Sequence, residues 1–176
     1  GRAAFLELVD HIQHAQPTHR PSIVYFAPHC PAAKLYGTHN TILWELFDGD
    51  QDKCYAAFLA QMREATSRTP VDLFFSNATA VQNLRTSELN ENHPLDLSRD
   101  GTHSDYGVTR FCESALFFQS ILKPVLGADI SESRYLFGKS DETPGKCSTP
   151  VDDRTRPIAV EAALNALKTP FEITRM

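Results

Sequence analysis

Asp100 and His103 stand three residues apart in the run Asp100-Gly101-Thr102-His103. A carboxylate and an imidazole at that spacing, on a turn leading into a helix, can share a hydrogen bond. The carboxylate then holds one ring nitrogen and fixes the tautomer, while the other nitrogen faces outward as a base. Gly101 lets such a turn form without steric conflict. The pair does chemistry when a nucleophilic hydroxyl lies near the free nitrogen, as in a serine-esterase triad. The spacing alone is weakly specific, because a helix cap beside a surface histidine has the same pattern. Position favours the functional reading. The motif follows a strand and a loop, and sites in open α/β sheets gather at the carboxyl ends of strands.

Other residues invite chemical readings and have plainer ones. Ser76 and Asn77 follow a strand, so Ser76 is a candidate surrogate nucleophile, although a strand-end serine is usually a turn residue. Asn77-Ala78-Thr79 is a glycosylation sequon, placed at a buried strand end where modification is not expected. His11 and His14, taken with His29 and His39, could suggest a metal. No Glu-x-x-His context supports that, and a solvated helix face is the simpler reading for His11 and His14. No metal or other cofactor is predicted. Trp44, Tyr36 and Phe47 suit a substrate wall or packing under a loop, the second being preferred. Asp152-Asp153 predicts a helix cap. Cys30, Cys54, Cys112 and Cys147 contain no CxxC, so a zinc knuckle is not expected. Cys54 and Cys112 fall on apolar helix faces as small hydrophobes, and Cys147 sits in a polar loop.

The elements that must position these groups follow from periodicity. Phe5, Leu8, Val9 and Ile12 repeat at helical spacing and predict an amphipathic helix over 3–15. Residues 22–27 and 71–75 are short, apolar and β-rich, and predict two buried strands. A helical turn is expected over 40–47. A helix is expected over 51–66, with Asp48 or Asp50 as its cap and Tyr55, Phe58, Leu59 and Met62 on one face. Residues 76–99 read mostly as loop, with a short helix near 80–85. After the Asp100–His103 turn, Ser104 or Asp105 caps a helix running to about Leu122. Its inner face is Val108, Phe111, Cys112, Ala115 and Phe118, and Pro124 ends it. Residues 127–150 read as a surface excursion, and a last helix runs from about Thr155 to Lys168. Strands alternating with helices, without polar alternation inside the strands, predict a parallel sheet covered on both faces.

Bulk properties narrow the classes. The 176 residues suffice for a single domain, with 127–150 as its loop excursion and 151–176 as its C-terminal helix and tail. The formal net charge is −5 and basic residues form no stripe, so nucleic acid is not an expected partner. The apolar runs are too short to span a bilayer, so no membrane partner is expected either. The chain begins Gly-Arg-Ala-Ala, which reads as a processed or truncated piece. The compartment is left open, with secretion or the periplasm compatible.

The run Ser98-Arg99-Asp100-Gly101-Thr102-His103-Ser104-Asp105-Tyr106-Gly107 resembles the last conserved block of SGNH (GDSL-like) hydrolases. Residues 77–85 are similar to the segment just upstream in one branch of that superfamily. That branch is a bacterial domain of unknown function, common in gut and environmental species. Residues 159–174 are similar to its tail, and the resemblance covers residues 5–175. It implies a flavodoxin-like three-layer α/β/α fold that hydrolyses esters, often acyl or acetyl groups on carbohydrates. It also implies a nucleophilic serine from an N-terminal Gly-Asn/Asp-Ser block, with oxyanion donors from that serine's backbone, a Gly and an Asn or Gln. No such blocks are found in this chain, and Gly49-Asp50-Gln51 is not one. The helix over 3–15 is similar to the one that follows the third block, so the N-terminal strands are expected to be lacking. Ala78, Val108-Thr109 and His29-Cys30-Pro31 depart from the branch's usual residues, which bears on substrate contacts and not on the Asp100–His103 pair.

The sequence therefore predicts a serine-esterase-type hydrolase of small-molecule or carbohydrate esters. His103 is the base, Asp100 orients it, and the nucleophile is not identified in this chain. A missing N-terminal segment or another chain would complete the sheet. The alternative is a non-catalytic α/β binding or interaction module, since bare sheet edges invite pairing.

Overall fold

The computed structural model describes residues 2–15, 18–19, 21–34, 41–68, 71–138 and 149–176. Tyr36, His39 and Cys147, which the sequence singles out, lie outside the described residues.

The architecture is helix-rich α/β around a small parallel sheet. Helix α1 (Arg2–Ala15) is the predicted amphipathic helix. Its Val9 is buried, and its Phe5 meets Tyr25 edge-on at 6.0 Å. His11 and His14 lie exposed on it, as expected. Strands β1 (Val24–Phe26) and β2 (Leu73–Phe75) pair in parallel, with Val24 opposite Leu73, Tyr25 opposite Phe74 and Phe26 opposite Phe75.

The expectation that β1 is buried needs correction. Side chains alternate across a strand. Tyr25 packs between Phe5 and Phe74, whereas Val24 and Phe26 share the other side and are 44% and 54% exposed. That side is covered over β2, where Phe75 is buried, and left open over β1.

The two sides of the sheet seed two apolar clusters. On the Tyr25–Phe74 side lie α2 (Thr41–Phe47) and α3 (Gln51–Arg68). Asp50 caps α3, its Oδ1 accepting the N–H groups of Asp52 and Lys53 at 2.9 and 3.0 Å. Tyr55, Phe58, Leu59 and Met62 form its inner face, as the spacing predicts. Cys30, Cys54 and Leu43 are fully buried in the same cluster.

The second cluster joins Phe75 to α4 (Asn77–Arg85), α6 (Val108–Phe117) and α8 (Thr155–Lys168). Val108, Phe111, Cys112 and Ala115 of α6 meet Ala159, Ala162, Ala163 and Ala166 of α8. Alanines along α8 let the helices approach closely, which is why a helix of low amphipathicity still builds core. Helix α8 starts and ends where the sequence predicts. Asp152 caps it, accepting from the Arg154 and Thr155 N–H groups at 2.9 and 2.8 Å, while Asp153 pairs with Arg156 instead.

Two expectations along this half were wrong. Residues 76–99 are not mostly loop: α4 begins directly after β2 and all nine of its residues are buried. Its polar residues read as loop because their partners are distant in sequence. Asn83 Nδ2 donates to the Ala162 carbonyl at 3.2 Å and its Oδ1 accepts the Thr174 N–H at 2.7 Å. A second short helix, α5 (Glu88–Glu91), follows. Nor does Pro124 end the helix after the turn. Helix α6 passes into a π-helical turn, Phe118–Leu122, and continues as α7 (Lys123–Leu126). Pro124 lies at the start of α7, where a missing N–H costs little. Gly127, at φ +67°, makes the stop. The excursion that follows holds a 3₁₀ turn at Ile130–Glu132 and returns through a bridge between Phe137 and Val151. Among the described residues no helix is long and apolar enough to cross a membrane.

Candidate functional site

The site is assembled from the segments that leave the carboxyl ends of both strands. β1 runs through Ala27, whose N–H donates to the Phe75 carbonyl, into a loop carrying His29 and Cys30. β2 runs through Ser76 into Asn77 at the start of α4. A third segment, residues 95–105, carries the Asp-Gly-Thr-His turn.

That third segment is held by its own polar groups and by buried neighbours. His93 Nδ1 accepts the N–H groups of Leu95 and Leu97 at 3.2 and 2.9 Å. Desolvation brings the His93 imidazole down to about 4, so it is a neutral staple at ordinary pH. Asp96 Oδ2 accepts from the Ala33 and Lys34 N–H groups at 2.7 and 2.9 Å, tying the β1 loop to the turn. The buried Arg85 guanidinium donates to the carbonyls of Asp96 and Cys30 at 3.0 and 2.9 Å. Ser98 Oγ accepts the Gly101 N–H at 2.8 Å, and Gly101 takes φ +88°, where a side chain would be strained. Asp105 then caps α6, its Oδ1 accepting the Gly107 and Thr109 N–H groups at 3.0 Å each. Of the two predicted caps, Asp105 is the one used.

Within this frame Asp100 and His103 meet as their spacing predicts. Asp100 Oδ1 accepts the N–H groups of Thr102 and His103 at 3.0 and 2.8 Å. Asp100 Oδ2 lies 2.8 Å from His103 Nδ1. Partial burial pushes the Asp100 carboxyl upward. The His103 backbone N–H, its ring and the Thr102 N–H outweigh that effect and bring it down to about 2. The carboxylate is thus charged across the working range and accepts only, so Nδ1 carries the proton. Nε2 is left as the basic nitrogen, with no hydrogen-bond partner among the described residues. The His103 side chain is 61% exposed, open to an incoming group.

A second polar cluster lies beside this pair. Glu113 Oε1 accepts from Ser104 Oγ at 2.7 Å and from Asn77 Nδ2 at 3.0 Å, and lies 3.3 Å from His29 Nδ1. His29 Nε2 donates to the Thr102 carbonyl at 3.0 Å, inside the Asp100–His103 turn itself. Burial pushes Glu113 up, but the His29, Asn77 and Ser104 hydrogen bonds prevail and hold it below the usual carboxylate range. One carboxylate thereby joins the β1 loop, the start of α4, the turn and α6. Sequence reasoning missed His29 and Glu113 as site residues. The available signals were a histidine just past a strand and an acid one turn beyond Thr109 on the half-buried face of α6.

The other candidates fall elsewhere. Ser76 is buried, and its hydroxyl meets Thr79 Oγ1 and the Pro170 carbonyl, which turns it towards the C-terminal tail. Asn77 is 1% exposed, so its sequon is closed to a glycosylating enzyme. Trp44 is half exposed and lies over Gly49, and Phe47 packs into the first cluster. No group of three or more His, Cys, Asp or Glu side chains that could hold a metal lies among the described residues.

A groove of about 860 Å³ opens along α6, lined in part by Tyr106, Arg110, Phe111, Phe117, Tyr135 and Phe137, with neither Asp100 nor His103 among its lining residues. Phe111 and Tyr135 stack at 5.6 Å, and the Arg99 and Arg110 guanidinium groups sit over the Tyr106 ring at 5.0 and 4.5 Å.

Residues 3–139 match the family DUF4886, a domain of unknown function. No curated protein matches the chain. The fold is similar to the crystal structure of a DUF4886 family protein from Bacteroides uniformis, with a TM-score of 0.75 and 20% sequence identity. That likeness covers 99% of this chain and 58% of the other, so the chain spans little more than half the length of its solved relative. The match over most of its length shows that this chain belongs to the DUF4886 family.

Proposed function

We propose that the chain supplies the acid and base of an SGNH-type serine ester hydrolase. Asp100 orients His103. His103 Nε2 takes the proton from a serine hydroxyl as it attacks an ester carbonyl, then returns it to the departing alcohol. The serine comes from outside these residues, from further sequence of the same protein or from another chain, and the completed sheet is a flavodoxin-like three-layer α/β/α sandwich.

The observation that carries this reading is the Asp100–His103 geometry. The carboxylate fixes one imidazole nitrogen at 2.8 Å, and the other faces outward on a turn at the carboxyl end of a parallel sheet. The open face of β1, with Val24 and Phe26 exposed, supports a further element that packs over that side of the sheet, as in a layered α/β fold. The aromatic groove along α6, which reaches Glu113 of the neighbouring polar cluster, suits an acyl group or the face of a sugar ring, since both pack on aromatic side chains.

The test is hydrolysis of p-nitrophenyl acetate by the protein at its full coding length. His103→Ala should lower turnover by roughly 10³-fold or more, as loss of a catalytic base does. Unchanged turnover, or none in the parent protein, would overturn the proposal and leave the non-catalytic binding module as the better reading.

A further inference from the structure

A polar pocket of about 430 Å³ shares no lining residue with the groove along α6, and neither Asp100 nor His103 lines it. Three helices and the C-terminal tail build it. Gln51 and Asp52 begin α3, Gln82 and Arg85 lie in the last turn of α4, Asn90 lies on α5, and Arg175 comes from the tail. The tail is fastened on both sides of Arg175. The Thr174 N–H donates to Asn83 Oδ1 at 2.7 Å, and the Met176 N–H donates to Thr86 Oγ1 at 3.1 Å.

Arg85 is a buried cation, only 8% exposed. Its Nε donates to the Asp96 carbonyl at 3.0 Å, and its Nη1 donates to the Cys30 carbonyl and to Gln82 Oε1 at 2.9 Å each. All three acceptors are neutral. Arg85 makes no ion pair among the described residues, and the Asp96 carboxylate instead takes the Ala33 and Lys34 N–H groups and Lys34 Nζ. The N–H groups of Nη2 are left without an acceptor among the described residues. Buried charge is stable when it is paired, so the partner that suits this pocket is an anion. Gln82 directs Oε1 at Arg85, which leaves its Nε2 as a further donor. Arg175 adds a second guanidinium to the lining, with no ion pair among the described residues. One acceptor is orphaned beside these donors. Asn90 Oδ1 is buried without a hydrogen-bond partner, while Asn90 Nδ2 lies 3.5 Å from Asp96 Oδ1. Buried polar atoms are ordinarily satisfied, and this one calls for a donor.

We propose that this pocket binds a small organic acid, its carboxylate between Arg85 and Arg175 and a hydroxyl or amino group donating to Asn90 Oδ1. Guanidinium groups suit a carboxylate because their N–H donors match its two oxygens. The exposed Asp52 carboxylate in the lining opposes a second negative charge, which disfavours phosphate. The volume lies within the ordinary range of small-molecule sites, roughly 300–1,000 Å³. Because Arg85 also holds the Asp96 and Cys30 carbonyls, an occupied pocket would stiffen the frame of the Asp100–His103 turn, whether or not that turn is catalytic.

The test is isothermal titration calorimetry of the protein at its full coding length, at constant ionic strength. The probes are L-lactate, L-alanine, propionate and inorganic phosphate. The first three share a skeleton and differ in the donor, which is a hydroxyl, an ammonium or nothing. Lactate or alanine should saturate at one ligand per chain and bind about tenfold more tightly than propionate, the margin expected of one hydrogen bond to an otherwise orphaned acceptor. Asn90→Ala should erase that margin. Arg175→Gln, at an exposed residue outside the frame of the turn, should weaken binding by about tenfold or more. Asp52→Asn should tighten lactate by about twofold, by removing a repulsion, and weaken alanine, whose ammonium loses a counter-charge. No saturable binding of lactate or alanine would overturn the proposal. So would binding that Arg175→Gln leaves unchanged, or propionate or phosphate binding as tightly as either.

Discussion

Asp100→Asn separates the two jobs that Asp100 does. An asparagine keeps one carbonyl oxygen, which can still accept the Thr102 and His103 N–H groups that now lie 3.0 and 2.8 Å from Oδ1. It cannot accept on both sides. Its amide nitrogen would face His103 Nδ1 across the present 2.8 Å contact, and two donors cannot face each other. Nδ1 must give up its proton and accept, so the neutral ring then carries its proton on Nε2, the nitrogen needed as base. The fold loses little. The pair is 61% and 47% exposed, so replacing one charge-assisted bond by a neutral one costs roughly 1 kcal/mol after solvent screening. For a chain of this length that is a fall in melting temperature of about 2–4 °C. Activity loses much more, about 10⁴-fold in turnover if the ring is a catalytic base. Nitrogen-15 spectra of the His103 ring read the tautomer directly, and p-nitrophenyl acetate hydrolysis by the full-length protein reads the chemistry. A ring that keeps its proton on Nδ1 in the variant would refute the hydrogen-bond reasoning. Unchanged hydrolysis with a switched tautomer would refute the catalytic role alone.

Other outcomes follow from the same structure. A Cβ on Gly107 would lie 1.8 Å from the Thr149 carbonyl oxygen, which also accepts the Val108 N–H at 3.0 Å. Gly107→Ala should therefore destabilise by about 2–4 kcal/mol, from overpacking plus a damaged hydrogen bond. Gly138→Ala, into open space, should stay within about 1 kcal/mol, and equal urea midpoints for the two variants would contradict the packing described. Acidification tests the carboxylates. Asp100 is brought from an ordinary 3.8 down to about 2, so its contribution is full above 3.8 and is lost as pH falls towards 2. Between those values the parent protein should lose about 1 kcal/mol more than Asp100→Asn, after discounting for exposure. Parallel pH profiles from urea unfolding would show that Asp100 is not the group responsible.

Local chemistry alone determined much of this protein. The Asp100–His103 contact is short-range, made by residues three apart on a turn that Gly101 permits, so it could be read from the chain itself. The same holds for α1, α3 and α6, whose apolar spacing marks where they lie, and for α8, which is marked by the capping carboxylate Asp152 at its start. Parallel pairing followed from helices standing between apolar strands. Tertiary structure decided what depends on partners far along the chain. Helix α4 is polar in sequence and buried in fact, because Ala162, Pro170 and Thr174 answer its side chains. Pro124 failed as a stop because the π turn before it moves the proline to the start of a new helical segment. His29 and Glu113 reach the turn only after both strand ends and α6 converge, and Cys30 and Cys54 come to share one buried cluster only when α3 packs beside the β1 loop. Spacing along a chain specifies contacts within one turn, and groups drawn together from different elements become visible only once the elements have packed.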